Sequence, residues 1–419
     1  MNSYPTFNLY KSFRKGYLIL FLFFLSGNSL WAQADSLDLE ISEMRKPKKW
    51  LLNGYVKNMQ TVYFFDSLGP GIRNSVLLDN LVHNRINFSW FINDKFTFKV
   101  DLRNRIFMGE TMKFTPDFGN RIDSSSSSHL FSHKAWYSPS WLLVNKKDLV
   151  IHSMIDRLYI DFVKNKWELR LGRQRINWGI TNFWNPHDIF NAYNFTDFDY
   201  EERPGSDALR VTYYPGMLSK LEFAVQAFDK VENINAGMLW KFNKWNYDFQ
   251  VISGFNYENI VAGVGWAGGI KNMGFKGEAS YFYALQDSVK HSVVASLNFD
   301  YMFSNSLFLN GGLLFNSNGI VKGSSANLLR FQLSAKNIYP YRYSAMLSLS
   351  YPFSPLIGAS LSIVYSLAEQ HAMYISPMFS YSIKENWDIN LIGQLIFGKE
   401  NRVYKSPTQL LFLRLKWSF

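Results

Sequence analysis

No cysteine occurs in the 419 residues. That absence excludes disulfide staples, thiolate metal sites, cysteine-based redox chemistry and lipid attachment to cysteine. Long apolar runs are missing too. The run from Gly16 to Leu25 is shorter than the roughly 20 residues a helical span needs, and nothing downstream approaches that length. No segment keeps a helical period, and no Gly-x-Ser-x-Gly elbow is present. The seven histidines are scattered. His129 and His133 are spaced by four but lack the glutamate of a zincin, and His187-Asp188 has no nucleophile fixed beside it. The glycine-rich stretch Val261 to Ile270 lacks the lysine of a phosphate loop and reads as a strand whose small residues ease curvature or close approach. No catalytic residue, metal or cofactor is expected.

The N-terminal region has the three-part plan of a secretory leader. Lys11, Arg14 and Lys15 precede the short apolar run, and Ala32-Gln33-Ala34 offers a cleavage site. The expected organisation is a cleaved signal peptide over 1–34, an N-terminal periplasmic segment over 35–49 and one remaining domain over 50–419. The formal charge is +11, of which the leader contributes three. Export makes nucleic acid an improbable partner for a basic chain and points to anionic head groups or anionic solutes.

Aromatic residues make up 18% of the chain, yet mean hydropathy is slightly negative. A wall with lipid-facing rings and a polar interior reconciles the two. The last twelve residues, Thr408 to Phe419, place Leu411, Leu413, Leu415, Trp417 and Phe419 on one face and Arg414, Lys416 and Ser418 on the other. The same period of two recurs from about Trp50 onward. Ile86, Phe88, Trp90 and Ile92 oppose Arg85, Asn87 and Ser89. Phe96, Phe98, Val100 and Leu102 oppose Lys99, Asp101, Arg103 and Arg105. Later units follow suit, among them Leu221, Phe223 and Val225 against Glu222 and Gln226.

At about 22 residues per strand and connection, some 16 to 19 strands fit. Short connections at Asn93-Asp94, Lys164-Asn165-Lys166, Asn243-Lys244 and Lys384-Glu385-Asn386 read as periplasmic turns. Long ones span Asp66 to Asn80, Met108 to His152, with the serine run Ser124 to Ser128, and Ile176 to Ser206. Counting from the first strand and counting back from Phe419 give opposite orientations, which places one ambiguous element between about Phe303 and Tyr341.

Leader, alternating hairpins, absent cysteine and a strand ending on Phe419 together resemble a Gram-negative outer-membrane β-barrel of the porin-like class. The resemblance implies an all-β transmembrane antiparallel barrel with an even number of strands, 16 or 18, in the outer membrane. It also implies lipid and glycolipid contacts, passage of small solutes, and recognition of Trp417 and Phe419 by the barrel assembly machinery. Leu169 to Asn185 (LRLGRQRINWGITNFWN) is similar to a recurrent stretch of such barrels, without assigned residue roles.

Two constellations are candidates for function. Arg85, Lys99, Arg103, Arg105, Arg157, Arg170, Arg173, Arg210, Arg330 and Arg414, with Asp101, Asp161 and Glu222, point away from the oily faces and so toward a lumen. They would either select anions or form a lattice of ion pairs that stiffens the wall. The second is Arg173 to Ser206, with Arg175, Trp178, Trp184, Asn185, His187 and Asp188, and the acidic group Asp197, Asp199, Glu201 and Glu202. Its apolar character suits a constriction or plug folded into the lumen, a ligand segment, or a self-packed cap. Two functions stay open: a passive channel for small polar or anionic solutes, and an occluded barrel serving as anchor or scaffold in an envelope or surface-polymer export assembly.

Overall fold

A computed structural model describes residues 48–69, 72–126, 139–192, 205–227, 234–286, 289–322, 333–369, 371–400 and 403–419. The leader, its cleavage site, most of the segment over 35–49, His129, His133, Asp197, Asp199, Glu201, Glu202 and Arg330 lie outside the described residues. The wall runs through β1 (Trp50–Gly69), β2 (Ile72–Phe91), β3 (Phe96–Gly109), β4 (Ser140–Asn145), β5 (Leu149–Lys164), β6 (Trp167–Gln174), β7 (Ser206–Gly216), β8 (Ser219–Gln226), β9 (Asn235–Lys244) and β10 (Tyr247–Asn256). It continues through β11 (Asn259–Ile270), β12 (Met273–Ala284), β13 (Ser292–Met302), β14 (Phe308–Asn316), β15 (Tyr343–Ser354), β16 (Ile357–Ser366), β17 (Met373–Lys384), β18 (Trp387–Glu400) and β19 (Val403–Ser418). Short helices α1 (Thr111–Phe114) and α2 (Phe118–Ser126) follow β3.

Each strand pairs antiparallel with its neighbours, and β1 pairs with β19 from Tyr55↔Ser418 to Phe65↔Thr408, so the ring closes on itself. Eighteen strands form the ring. The extra one, β4, pairs with the upper part of β5, Val150 to Met154, while β6 pairs with the lower part, Leu158 to Lys164.

The two-residue period sorts side chains as the sequence implies. Outward positions carry the exposed rings and aliphatics, such as Trp240, Val251, Val264, Tyr281, Leu313, Tyr343, Leu391 and Leu413. Inward positions carry polar groups and residues buried inside the barrel, such as Gln250, Glu278, Ser296 and Asn310. On β19, Arg414 and Lys416 share the inward register of Met59 and Lys57.

Short connections collect at one end of the barrel with Phe419. There Trp245 and Asn246, both with positive φ (53° and 61°), form the tight turn between β9 and β10 with the backbone of a primed hairpin turn. That turn lies two residues beyond the expected Asn243-Lys244, which ends β9. Three other expectations change. Asp66 to Asn80 is mostly strand, because β1 and β2 are 20 residues each and pair nearly to their tips. Met108 to His152 is not one loop: it holds α1, α2, β4 and the start of β5. Between Phe303 and Tyr341 the chain makes β14 and then turns inward. Residues 333–342 form only isolated bridges, with Ala335, Ile338, Tyr339 and Tyr341 buried.

Candidate functional site

The chain leaves the wall after Gln174 and re-enters it at Ser206, and residues 175–192 cross the inner face of β8 to β13. The exit is anchored by Gln174, whose amide donates to the carbonyls of Ala208 (2.9 Å) and Arg170 (3.1 Å). Asn191 ties the two ends together: its Oδ1 accepts from the Ile176 N–H at 3.0 Å and its Nδ2 donates to Ser206 at 2.8 Å. Asp188 braces the interior by accepting the N–H groups of Trp178 and Gly179, both at 2.7 Å.

Inward side chains of the wall then satisfy the backbone of this irregular segment, as any buried segment requires. Glu278 on β12 accepts the N–H groups of Ile180, Thr181 (2.7 Å) and His187 (3.0 Å). Gln250 on β10 donates to the Trp178 carbonyl at 2.6 Å and to His187 Nδ1 at 3.0 Å. Glu222 on β8 accepts the Trp178 indole N–H at 2.6 Å. Asn235 and Asn256 donate to the Ile189 carbonyl, Ser280 to that of Pro186 and Ser296 to that of Trp184.

The apolar half of the segment is received by gaps in the wall. A Cβ on Gly237 would stand 3.0 Å from the Trp178 ring, and one on Gly263 or Gly265 would stand 2.9 Å from the His187 imidazole. Trp184 packs on Tyr339 of the second inward segment, with ring centroids 5.7 Å apart. Together Ile176, Trp178, Trp184, Ile189, Phe190, Ile338, Tyr339 and Tyr341 belong to a buried apolar cluster inside the barrel. Burial lowers the His187 pKa below its ordinary 6.5, although Glu278 pulls the other way. Since an amide nitrogen can only donate, the Gln250 contact fixes Nδ1 as an acceptor and the imidazole as neutral.

Trp178, Trp184, Asn185, His187 and Asp188 are thus brought together and buried, while Arg175 lies on the exposed face of the segment. The basic candidates form a second, braced region. Arg85 donates to Asp156 at 2.6 Å and to Asp101 at 3.0 Å, Arg157 reaches Asp156 at 3.0 Å, and Lys99 lies 3.7 Å from Asp101. Arg170 grips Asp161 through two hydrogen bonds, one of 2.7 Å, and Arg210 bonds Glu168. Arg103 donates to His83 at 3.1 Å and Arg105 to His152 at 3.1 Å.

Arg173 departs from the expectation. It stands opposite Asp207 on the register of the outward leucines Leu171 and Leu209, and pairs with that carboxylate at 2.7 Å for both contacts. Strict alternation also hides Asp156, because a bulge beside Arg157 inserts one extra residue. Glu278 and Gln250, the main supports of the inward segment, carry no sequence signal beyond being polar positions on alternating strands.

Ser140, His152 and Asp123 form a contact that mimics a hydrolase triad, with Ser140 Oγ 2.7 Å from His152 Nε2 and bonded to Asp123. Its polarity is wrong for catalysis. Arg105 donates to Nδ1, so the neutral ring carries its proton on Nε2 and donates toward Ser140 instead of accepting from it. The contact joins α2, β4 and β5 at the mouth.

At the short-turn end the inner wall of β14 to β17 borders a cavity of about 680 Å³ lined by Phe308, Ser350, Ser360, Met378 and Ser380 among others. No family model matches this sequence, and no curated protein matches it. Solved structures do. Acinetobacter baumannii OccAB3 aligns over 88% of this chain and 99% of its own length at 11% identity and a TM-score of 0.54. Pseudomonas aeruginosa OccK9 (OpdG) aligns over 89% and 98% at 8% identity and a TM-score of 0.56. The P. aeruginosa outer membrane protein opdK aligns over 88% and 98% at 8% identity and a TM-score of 0.53. With its closed 18-strand ring, apolar outer belt and polar inner wall, the chain has the fold of the Gram-negative outer-membrane porins.

Proposed function

We propose that the protein is a passive outer-membrane channel for small polar solutes with a preference for anions, narrowed by residues 175–192. The observation that carries the reading is the inner face of β19, β1, β2 and β3. By register it holds Lys57, Arg85, Lys99, Arg103, Arg105, Arg414 and Lys416 against Asp79 and Asp101 among the described residues. Ion pairs fix the geometry of such a wall, but the excess of one sign still sets the potential in a narrow, low-dielectric lumen. The segment on β8 to β13 narrows the opposite side, and the serine-lined cavity is the vestibule at the short-turn end. Trp417 and Phe419 would present the assembly signal there, with lipid and glycolipid against the outer belt.

A specific observation favours the scaffold alternative. Lys57 and His83 are fully buried and Arg85 is 2% exposed, which suits a filled lumen. Conductance of the refolded barrel in a planar bilayer under a salt gradient separates the two. Open steps whose reversal potential favours anions, and moves toward cations in Arg103→Glu/Lys416→Glu, are expected for the channel. A silent barrel would overturn it.

A further inference from the structure

Next to the Arg173–Asp207 pair on the outward register of β6 and β7, the outer wall carries a sector that a lipid-facing belt does not explain. On β1, β2, β3 and β5 the outward register holds Asn58, Gln60, Asn80, Asn84, Asn104 and Ser153, interleaved with aliphatics such as Val56, Val62, Leu102 and Ile106. These side chains form a ladder. Asn58 and Asn80 exchange hydrogen bonds at 3.3 and 3.4 Å, and Gln60 donates to Asn58 at 3.2 Å. Asn104 donates to Asn84 at 3.0 Å, Ser153 donates to Asn104, and Asn84 donates to the Tyr55 carbonyl at 3.1 Å.

Asn84 lies six positions from Trp90 on β2, about 20 Å along the strand and roughly 15 Å in height for a strand tilted near 40°. A lipid-facing belt is about 25 Å tall, so the ladder crosses the part of the wall where hydrocarbon is expected. On β11, β13, β15 and β16 the outward positions at a comparable distance from the short turns are apolar, as at Val264, Ala295, Leu347 and Ile363. Each asparagine amide has two N–H groups. The bonds above leave one on each of the partly exposed Asn58, Asn84 and Asn104 without a partner among the described residues, and hydrocarbon offers none; Asn80 is buried beneath the ladder.

We propose that this sector is a homodimer interface, covered by the same sector of a second copy of the chain. Amides are donors and acceptors at once, so the ladder is complementary to itself. A two-fold axis along the membrane normal brings it to the same depth on both copies without further adjustment. A partner of another sequence would need polar groups independently matched to that depth. Close packing of small aliphatics with interspersed amides is also the chemistry by which proteins associate inside lipid, where no hydrophobic force acts between them.

The absence of cysteine permits a clean test. Single variants Asn84→Cys, Asn104→Cys and Val56→Cys, with Tyr281→Cys on the ring-covered wall as control, are oxidised in intact outer membranes. Folding is verified by heat-modifiable migration in gels. Disulfide-linked dimers at least fivefold more abundant in the sector variants than in the control are expected. In detergent, the unaltered chain should have the mass of two copies and Asn84→Leu/Asn104→Leu that of one. Single-copy mass for the unaltered chain, equal cross-linking in the control, or linkage only to a different protein would each overturn the proposal.

Discussion

Glu278 accepts the backbone N–H of Thr181 at 2.7 Å, and the same carboxylate holds Ile180 and His187. One buried side chain of the wall therefore fixes both ends of the 180–187 turn inside the barrel. Hydrogen bonds to a charged group contribute about 1.5–3 kcal/mol each, and leaving buried donors without a partner costs more. Glu278→Gln should keep the shape but weaken the hold, and Glu278→Ala should release the segment. Conductance is expected to rise in the order native, Gln, Ala, with the barrel still heat-modifiable. Equal conductance in all three would show that the segment does not narrow the path.

The His187 imidazole lies where Gly263 and Gly265 leave room. A leucine at position 265 would overlap the ring, and the buried segment cannot yield without breaking its bonds to Gln250 and Glu278. Gly265→Leu should therefore expel residues 175–192 while β10 to β12 stay paired. Protease cleavage within the segment, absent from the folded native barrel, is the readout. A cleavage pattern like that of the native chain would contradict the steric argument.

Burial holds the His187 pKa below 6.5 in the docked state. The undocked histidine takes up a proton as pH falls through 6.5, whereas the docked one resists, so the undocked state binds more protons in that window. Docking is thus strongest above pH 6.5 and weakens progressively below it. Channel opening measured from pH 8 to pH 5 should increase on the acid side, and His187→Gln should flatten the profile. A native profile already flat over that range would refute the linkage.

Alternation alone made the wall legible. Every outward or inward assignment on β8, β13, β16 and β19 follows from a period of two, because lipid and lumen impose opposite chemistry on successive residues. The inward course of 175–192 was legible too, since Trp178, Trp184 and Ile189 are too apolar for a free loop. What alternation misses is where it breaks. The bulge at Asp156 shifts the face of everything above it on β5, and the placement of Arg173 follows the register of β6 against β7, which strand charge patterns do not encode. The partners of the segment were hidden for another reason. Glu278 is 97 residues away from Thr181 in sequence and differs from any other lumen acid only by what folds over it.

Asp156 is fully buried and receives both Arg85 and Arg157. Removing one partner of a buried ion pair strands the other, at a cost of about 3–5 kcal/mol, whereas replacing both by apolar groups of similar volume is often close to neutral. Asp156→Ala should therefore destabilise the barrel more than Lys99→Ala, whose half-exposed ammonium lies 3.7 Å from Asp101 and contributes at most about 1 kcal/mol. Asp101 still holds Arg85 at 3.0 Å, so Arg85→Met in the Asp156→Ala background should recover only part of the loss. Urea unfolding of the refolded barrel in lipid vesicles gives the three differences. A near-zero effect of Asp156→Ala would mean that the inner charges are hydrated, and would turn the braced wall back into an open, solvated one.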